Sequence, residues 1–174
     1  MIALENMLMI VILPLLLGVI QDANKLPAGF DKSVEVNGMS FEWRLTPGNL
    51  IGRLSAPADG WVAVGFNTSA GLANTNLIMA AIRGEDTTIS DRFIVEAGDH
   101  RSIDAMGGAS AVRLIDASQR PGYTEVTFSI KRDPGHKWHQ QLNEAAVYHL
   151  LLAYSNDDDF QHHSIMRSHL TIQL

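Results

Sequence analysis

The chain has 174 residues, no cysteine, seven histidines, seven methionines and a formal net charge of −6. This length is typical of one domain, and the absence of cysteine excludes disulfide scaffolds and thiolate-bound zinc or iron–sulfur centres. The acidic balance argues against a nucleic-acid partner, which would require a basic surface. We therefore expect one globular domain in which His and Met are the candidate metal-ligating side chains.

The N-terminal segment is hydrophobic. Residues 7–20 form a 14-residue run without a charge, which is shorter than the ~20 apolar residues of a membrane-spanning helix. The run fits the apolar region of a secretory signal peptide, although Glu5 precedes it and no Ala-x-Ala site follows. We predict that residues 1–23 are a signal peptide or hydrophobic leader and that the protein is exported to the periplasm, the cell surface or the medium. Membrane contact is then expected only through an uncleaved leader.

The rest of the chain alternates between short strands and turn residues. Residues 34–36 alternate apolar and polar side chains before Asn37 and Gly38, the pair that a type I′ hairpin favours. Residues 61–66 and 77–82 are continuous apolar runs, typical of strands buried on both faces. Further strands are predicted at 41–45, 50–54, 112–115, 123–130, 147–154 and 170–174, with a short one at Ile89. About ten strands predict that residues 30–174 form an all-β domain, an antiparallel β-sandwich with few short helices.

A pair of histidines, His136 and His139, flanks Trp138. We predict a short helix over residues 136–145, in which positions three apart share a face and could hold a metal ion. No carboxylate stands at a spacing typical of a metalloprotease helix. The pair is therefore interpreted as two solvated histidines on a surface helix.

The densest set of charged and metal-ligating side chains lies before the last strand. Residues 157–167 read Asp-Asp-Asp-Phe-Gln-His-His-Ser-Ile-Met-Arg, and loops held by a rigid sheet commonly carry function. One interpretation is a metal site with Asp158, His162 and His163 as ligands; the other is a solvated loop whose acids cap turns. Because neighbouring side chains of an extended segment point to opposite sides, we expect at most one of the two histidines to face a common pocket.

The order of several segments resembles the DOMON domain family. The matching segments are Gly-Trp-Val-Ala-Val-Gly-Phe-Asn at 60–67, the apolar strand 77–82, Ile-Ser-Asp-Arg at 89–92, Thr-Glu-Val-Thr-Phe-Ser-Ile at 124–130, and the closing segment 151–167. Together they span nearly all of residues 34–174. The resemblance implies an immunoglobulin-like β-sandwich, usually extracytoplasmic, that binds haem or sugars.

The resemblance also implies a haem site with one Met and one His as axial ligands. His163 stands four residues before Arg167, as in the family's closing segment, so it is the expected axial ligand, with Arg167 in the same cofactor site. The family's methionine position holds Leu72, which has no lone pair for iron. Met79 and Met166 are the expected substitutes, provided that the fold brings either sulfur to the iron.

We therefore expect an extracytoplasmic binding domain that holds haem b for electron transfer or sensing. The alternative is a haem-free interaction module that binds a metal ion at the 157–163 loop or a sugar stacked on Trp138 or Tyr154. Its partner would be a small-molecule ligand or a redox protein. No nucleophile–base pair stands out, so no enzymatic activity is expected.

Overall fold

The computed structural model describes residues 29–174, and the predicted leader, residues 1–23, lies outside this range. The described residues form eleven strands and one short 3₁₀ helix, Asp104–Met106. The strands are β1 (Lys32–Val36), β2 (Met39–Leu45), β3 (Asn49–Ala56), β4 (Val62–Asn67), β5 (Asn76–Arg83), β6 (Asp86–Glu96), β7 (Asp99–Ser102), β8 (Val112–Arg120), β9 (Tyr123–Lys131), β10 (Val147–Tyr154) and β11 (Met166–Gln173). Within residues 29–174, no helix is long and apolar enough to cross a membrane.

Two antiparallel sheets form a sandwich. One sheet has the order β1-β2-β3-β9-β8, and the other has the order β11-β10-β4-β5-β6-β7. The predicted all-β antiparallel sandwich is confirmed, with eleven strands in place of about ten. The additional strand is β7, whose four residues are partly or fully exposed and carry no apolar alternation that a sequence pattern could reveal.

The main core lies between the two sheets. Its largest fully buried side chains include Phe41, Phe66, Phe128 and Tyr148. The ring of Phe66 meets Phe41 and Tyr148 edge-on, with centroids 5.9 and 6.5 Å apart, an arrangement that aromatic quadrupoles favour. These contacts join strands from both sheets, so the core fixes how the sheets stack.

The predicted type I′ hairpin is confirmed, because Asn37 and Gly38 have φ angles of 50° and 78° between the paired strands β1 and β2. The predicted helix over residues 136–145 is wrong, since the chain is irregular there. Its backbone groups bond to other elements instead: the Leu142 N–H donates to the Arg132 carbonyl, and the Tyr148 hydroxyl donates to the Gln141 carbonyl. These tertiary hydrogen bonds replace the intrahelical ones that a helix would require.

Candidate ligand-binding cleft

Strands β4 and β5 are buried on both faces, and β10 is so along most of its length. One face packs into the main core, and the other carries a second apolar cluster on the outer side of the six-stranded sheet. This outer cluster consists of Trp61, Ala63, Leu77, Met79, Ala81, Ile94, Leu151 and Ala153. The outer face of an antiparallel sheet is commonly exposed to solvent. A buried apolar cluster on that face therefore indicates that other parts of the chain cover it.

Two loops cover the outer cluster from opposite directions. β4 and β10 are antiparallel neighbours, so the loop after β4 (residues 68–75) and the loop after β10 (residues 155–165) leave the sheet at opposite ends. Leu72 from the first loop, His163 from the second and His100 from β7 line the cleft between them. The cleft measures about 710 Å³, including the part open to solvent.

Small side chains keep the floor of the cleft low. Ala63 and Ala153 are buried in the floor. Gly65 lies in β4. A Cβ at this position would lie 2.5 Å from the Thr75 methyl group and 3.2 Å from Leu151 Cβ, so only glycine leaves space for these two side chains. The alternation of small residues with larger core residues along β4 therefore creates a cavity outside the sheet without weakening the core inside it.

The acidic residues of the 155–165 loop shape its backbone. The Asp157 carboxylate accepts the Asp159 N–H at 2.8 Å, and the Asp159 carboxylate accepts the Gln161 N–H at 3.0 Å. Both are turns in which an Asp side chain bonds to the backbone two residues on. The turn-capping interpretation of these two acids is therefore confirmed, and their effect is to present the following histidines to the cleft.

The Gly60-Trp61 pair anchors the same loop to the sheet. The Trp61 N–H donates to the Asp157 carbonyl at 3.1 Å, and the Ser155 N–H donates to the Trp61 carbonyl at 2.9 Å. A Cβ at Gly60 would lie within 2.4 Å of the Asp157 backbone. Only glycine allows this close approach, which gives a structural reason for the Gly-Trp sequence at the start of β4.

His162 and His163 both line the cleft. The expectation that only one would face a common pocket is wrong, because the loop is not extended here: the His162 N–H donates to the Asp159 carbonyl and closes a turn. The His162 ring has its Nδ1 3.5 Å from an Asp157 carboxylate oxygen. The His163 ring makes no side-chain hydrogen bond to any described residue, although its backbone carbonyl accepts from Ser155 Oγ.

The third predicted metal ligand, Asp158, points elsewhere. Its carboxylate lies 3.8 Å from the Arg83 guanidinium, in a neighbouring groove. Burial raises the pKa of Asp158, an effect opposed by Arg83 and assisted by Asp157. Among residues 29–174, no three His, Asp or Glu side chains are grouped as a metal site, so the structure does not bring Asp158, His162 and His163 together as ligands.

The two predicted methionines occupy different places. Met79 is 2% exposed and belongs to the floor of the cleft. Met166 packs in the main core between the sheets, so the structure separates it from the cleft. Arg167, the next residue, is exposed on the other face of β11 and lines the cleft.

Sequence reasoning assigned no role to His100, which lies in β7 and lines the cleft. Its Nδ1 accepts a hydrogen bond from Arg92 Nε at 2.8 Å, which places the ring proton on Nε2. Burial and the Arg92 charge lower the pKa of His100, while a hydrogen bond to the Phe160 carbonyl opposes them. The contact with Arg92 ties β7 to β6, and only the fold reveals it.

The interpretation of His139 as a solvated residue is wrong. Its side chain is 1% exposed, and its Nε2 lies 2.9 Å from a carboxylate oxygen of Asp91, which is fully buried. Asp91 also accepts hydrogen bonds from the Asn76 amide and the Ala111 N–H, each at 2.8 Å. Asp91, the Asp of the Ile-Ser-Asp-Arg segment, thus accepts hydrogen bonds that stabilise the fold and is not part of the cleft lining.

The aromatic residues considered for sugar stacking lie outside the cleft lining. Trp138 packs against Phe93, with ring centroids 5.1 Å apart, and Lys137 lies over its ring. Tyr154 is half-buried against the main core. The cleft offers Trp61 as its one aromatic wall residue among the described residues.

The described residues form an antiparallel β-sandwich with an apolar cleft on the outer face of one sheet. The DOMON domain family matches residues 37–155, and the chain belongs to this family. No curated protein matches the sequence.

Two solved structures share the fold. The cytochrome domain of Myriococcum thermophilum cellobiose dehydrogenase has 16% sequence identity and a TM-score of 0.56, with 78% of this chain and 74% of that chain covered. The cytochrome b domain of pyranose dehydrogenase from Coprinopsis cinerea has 13% identity and the same TM-score, with 78% and 76% covered.

Proposed function

We propose that this domain binds haem b in the outer cleft and that the His163 imidazole would hold its iron. The observation that carries the proposal is His163, which lines the cleft above the apolar cluster and whose ring makes no side-chain hydrogen bond to a described residue. Imidazole is a common axial ligand of haem iron. Two domains of the same fold are cytochrome domains by name, which supports this choice of cofactor over the metal ion or sugar considered from the sequence.

The residues around the cleft fit such a cofactor. The floor is apolar, and Arg167 at the rim supplies a guanidinium that can pair with a carboxylate such as a haem propionate. The Trp61 indole N–H is buried without a partner among the described residues. A buried donor without a partner costs about 1–3 kcal/mol, and a bound molecule with an acceptor would remove that cost.

When bound, haem b supplies a one-electron redox centre whose potential depends on axial ligands and burial. The contribution of this chain is to hold the cofactor, exclude water with the apolar floor, and place one imidazole and one guanidinium at its edge. We also propose that the protein is exported, on the strength of the apolar run at residues 7–20. N-terminal sequencing of the exported protein tests this placement.

The test compares two neighbouring histidines. The purified full chain is reconstituted with haem b, and its Soret band is followed by absorbance titration. We expect saturable binding in the wild type, a lost or strongly shifted band in His163→Ala, and a retained band in His162→Ala. The neighbour is a matched control because both histidines are exposed in the same loop and line the same cleft.

Failure of the wild type to take up haem would refute the proposal. An identical spectrum in His163→Ala and the wild type would refute the role of His163 as ligand. Circular dichroism of each variant shows that the sandwich is intact.

A further inference from the structure

We infer that His163 is the only one of residues 29–174 that would ligate haem iron in this cleft, and that the iron would therefore also take a small uncharged molecule, for which carbon monoxide is the probe. The inference rests on the proposed function and concerns what the cleft does with its cofactor. Among the described residues that line the cleft, only histidine and methionine side chains carry an atom that commonly ligates haem iron. His163 is the proposed ligand, so the remaining candidates are His100, His162 and Met79.

His100 is engaged by Arg92. Its Nδ1 accepts a hydrogen bond from Arg92 Nε at 2.8 Å, so the ring proton lies on Nε2 and that nitrogen offers no free lone pair. Arg92 also donates to the His100 backbone carbonyl at 3.1 Å and lies over the Phe160 ring, 5.8 Å from its centroid. Recruiting His100 to iron would break these contacts and leave a half-buried guanidinium with fewer partners, which is costly.

His162 shares the turn of His163 and is oriented towards Asp157. Its side chain is 60% exposed, and its Nδ1 lies 3.5 Å from the Asp157 carboxylate. Because both histidines follow the same short turn from one end of the sheet, His162 does not reach the cleft from the direction of the 68–75 loop. A second imidazole from that opposite side is therefore absent among the described residues that line the cleft.

Met79 belongs to the floor rather than to a wall. Its side chain is 2% exposed and packs within the outer cluster, where its register partners are Ala63 on β4 and Ser90 on β6. The loop that approaches from the end opposite to His163 carries Leu72, which is half-buried against the outer cluster. Leucine has no lone pair, so this wall offers no ligand to a metal.

The apolar side chains that line the cleft determine which kind of added molecule can bind there. Leu72, Ile94 and Leu77 present only hydrocarbon, and an apolar surface penalises a charged or strongly hydrated ligand. An uncharged diatomic such as carbon monoxide or nitric oxide pays no such cost. The cleft is therefore suited to sensing a small ligand, in preference to the outer-sphere electron transfer that two protein ligands would favour.

The experiment measures ligation and carbon monoxide binding on the reconstituted full chain. We expect a high-spin spectrum in the absence of added ligand, the same spectrum in Met79→Leu and in His162→Ala, and a saturable Soret shift when the reduced protein meets carbon monoxide. Leu72→Met introduces a competing sulfur, so we expect at least about tenfold weaker carbon monoxide binding if the thioether occupies the position nine-tenths of the time. Val147→Met adds the same sulfur at an exposed position of β10 outside the cleft lining, so it is the matched control and keeps the wild-type affinity.

The outcomes separate this inference from the proposed function. Absence of haem uptake overturns both. Haem uptake with a low-spin spectrum that turns high-spin in Met79→Leu or His162→Ala overturns the open position alone, because it identifies the second ligand. A low-spin spectrum that no variant changes, or unaltered carbon monoxide affinity in Leu72→Met, likewise overturns the inference while haem binding stands.

Discussion

A buried carboxylate is stable only when donors surround it, and Asp91 is the clearest case in this molecule. Its oxygens meet His139 Nε2, the Asn76 amide and the Ala111 N–H. These groups come from β5, from the segment before β8 and from the loop before β10. One side chain therefore ties three separate parts of the chain to β6.

We predict that Asp91→Ala destabilises the domain by about 3–5 kcal/mol, because removing one partner of a buried pair leaves the others uncompensated. Urea unfolding followed by tryptophan fluorescence measures the change. Asp116→Ala is the control, since Asp116 is exposed on β8 and surface changes usually stay within about 0.5 kcal/mol. A loss at Asp91 no larger than that of the control would contradict this account.

At the scale of elements, the sequence predicts a strand well where burial of one or both sheet faces produces a recognisable pattern of apolar residues. The two-residue alternation of β9 appears as alternating burial over Tyr123–Lys131, and the apolar runs of β4 and β5 appear as burial on both faces. β7 escapes prediction because its four residues are held by pairing with β6 and by the contacts of His100 rather than by an apolar face. The 136–145 segment has a plausible helical spacing, but two hydrogen bonds override it, one from the Leu142 N–H to the Arg132 carbonyl and one from the Tyr148 hydroxyl to the Gln141 carbonyl.

The cleft was predictable in part. The continuous apolar runs of β4 and β5 already require a cover on the outer face, and that is the signal from which a site could be found. His163 and Arg167 were expected from the resemblance to the closing segment of the DOMON family, and both line the cleft. The contributions of Trp61, Ile94 and His100 depend on strand register and loop path, and no local pattern encodes those. Met166 shows the same limit, because its position within β11 decides which face it occupies.

At the scale of the whole molecule, two histidines couple stability to pH. Burial is the largest cause that lowers the pKa of both His100 and His169 from the ordinary value of 6.5; the charge of Arg92 adds to it at His100 and that of Arg167 at His169. A histidine with a lowered pKa in the folded state binds fewer protons than it does when unfolded. Stability is therefore fully present above pH 6.5 and is lost as the pH falls towards the folded-state pKa.

We accordingly predict that the free energy of unfolding decreases between about pH 7.5 and pH 5.5. The decrease should be shallower in His100→Asn and in His169→Asn, and shallowest when both changes are combined. Urea titrations at four or more pH values measure the slope. If acidification in this window raised the stability of the wild type, the assignment of these two rings as neutral in the folded state would be wrong.

The two apolar clusters also divide three strands by residue number. In β4, β5 and β10, the main-core residues such as Val64, Ile78 and Leu152 carry even numbers, whereas the cleft residues Ala63, Met79 and Ala153 carry odd ones. Each strand therefore alternates residues of the main core with residues of the cleft. Substitutions at the odd positions would change the lining of the cleft, while the even positions would preserve the packing between the two sheets.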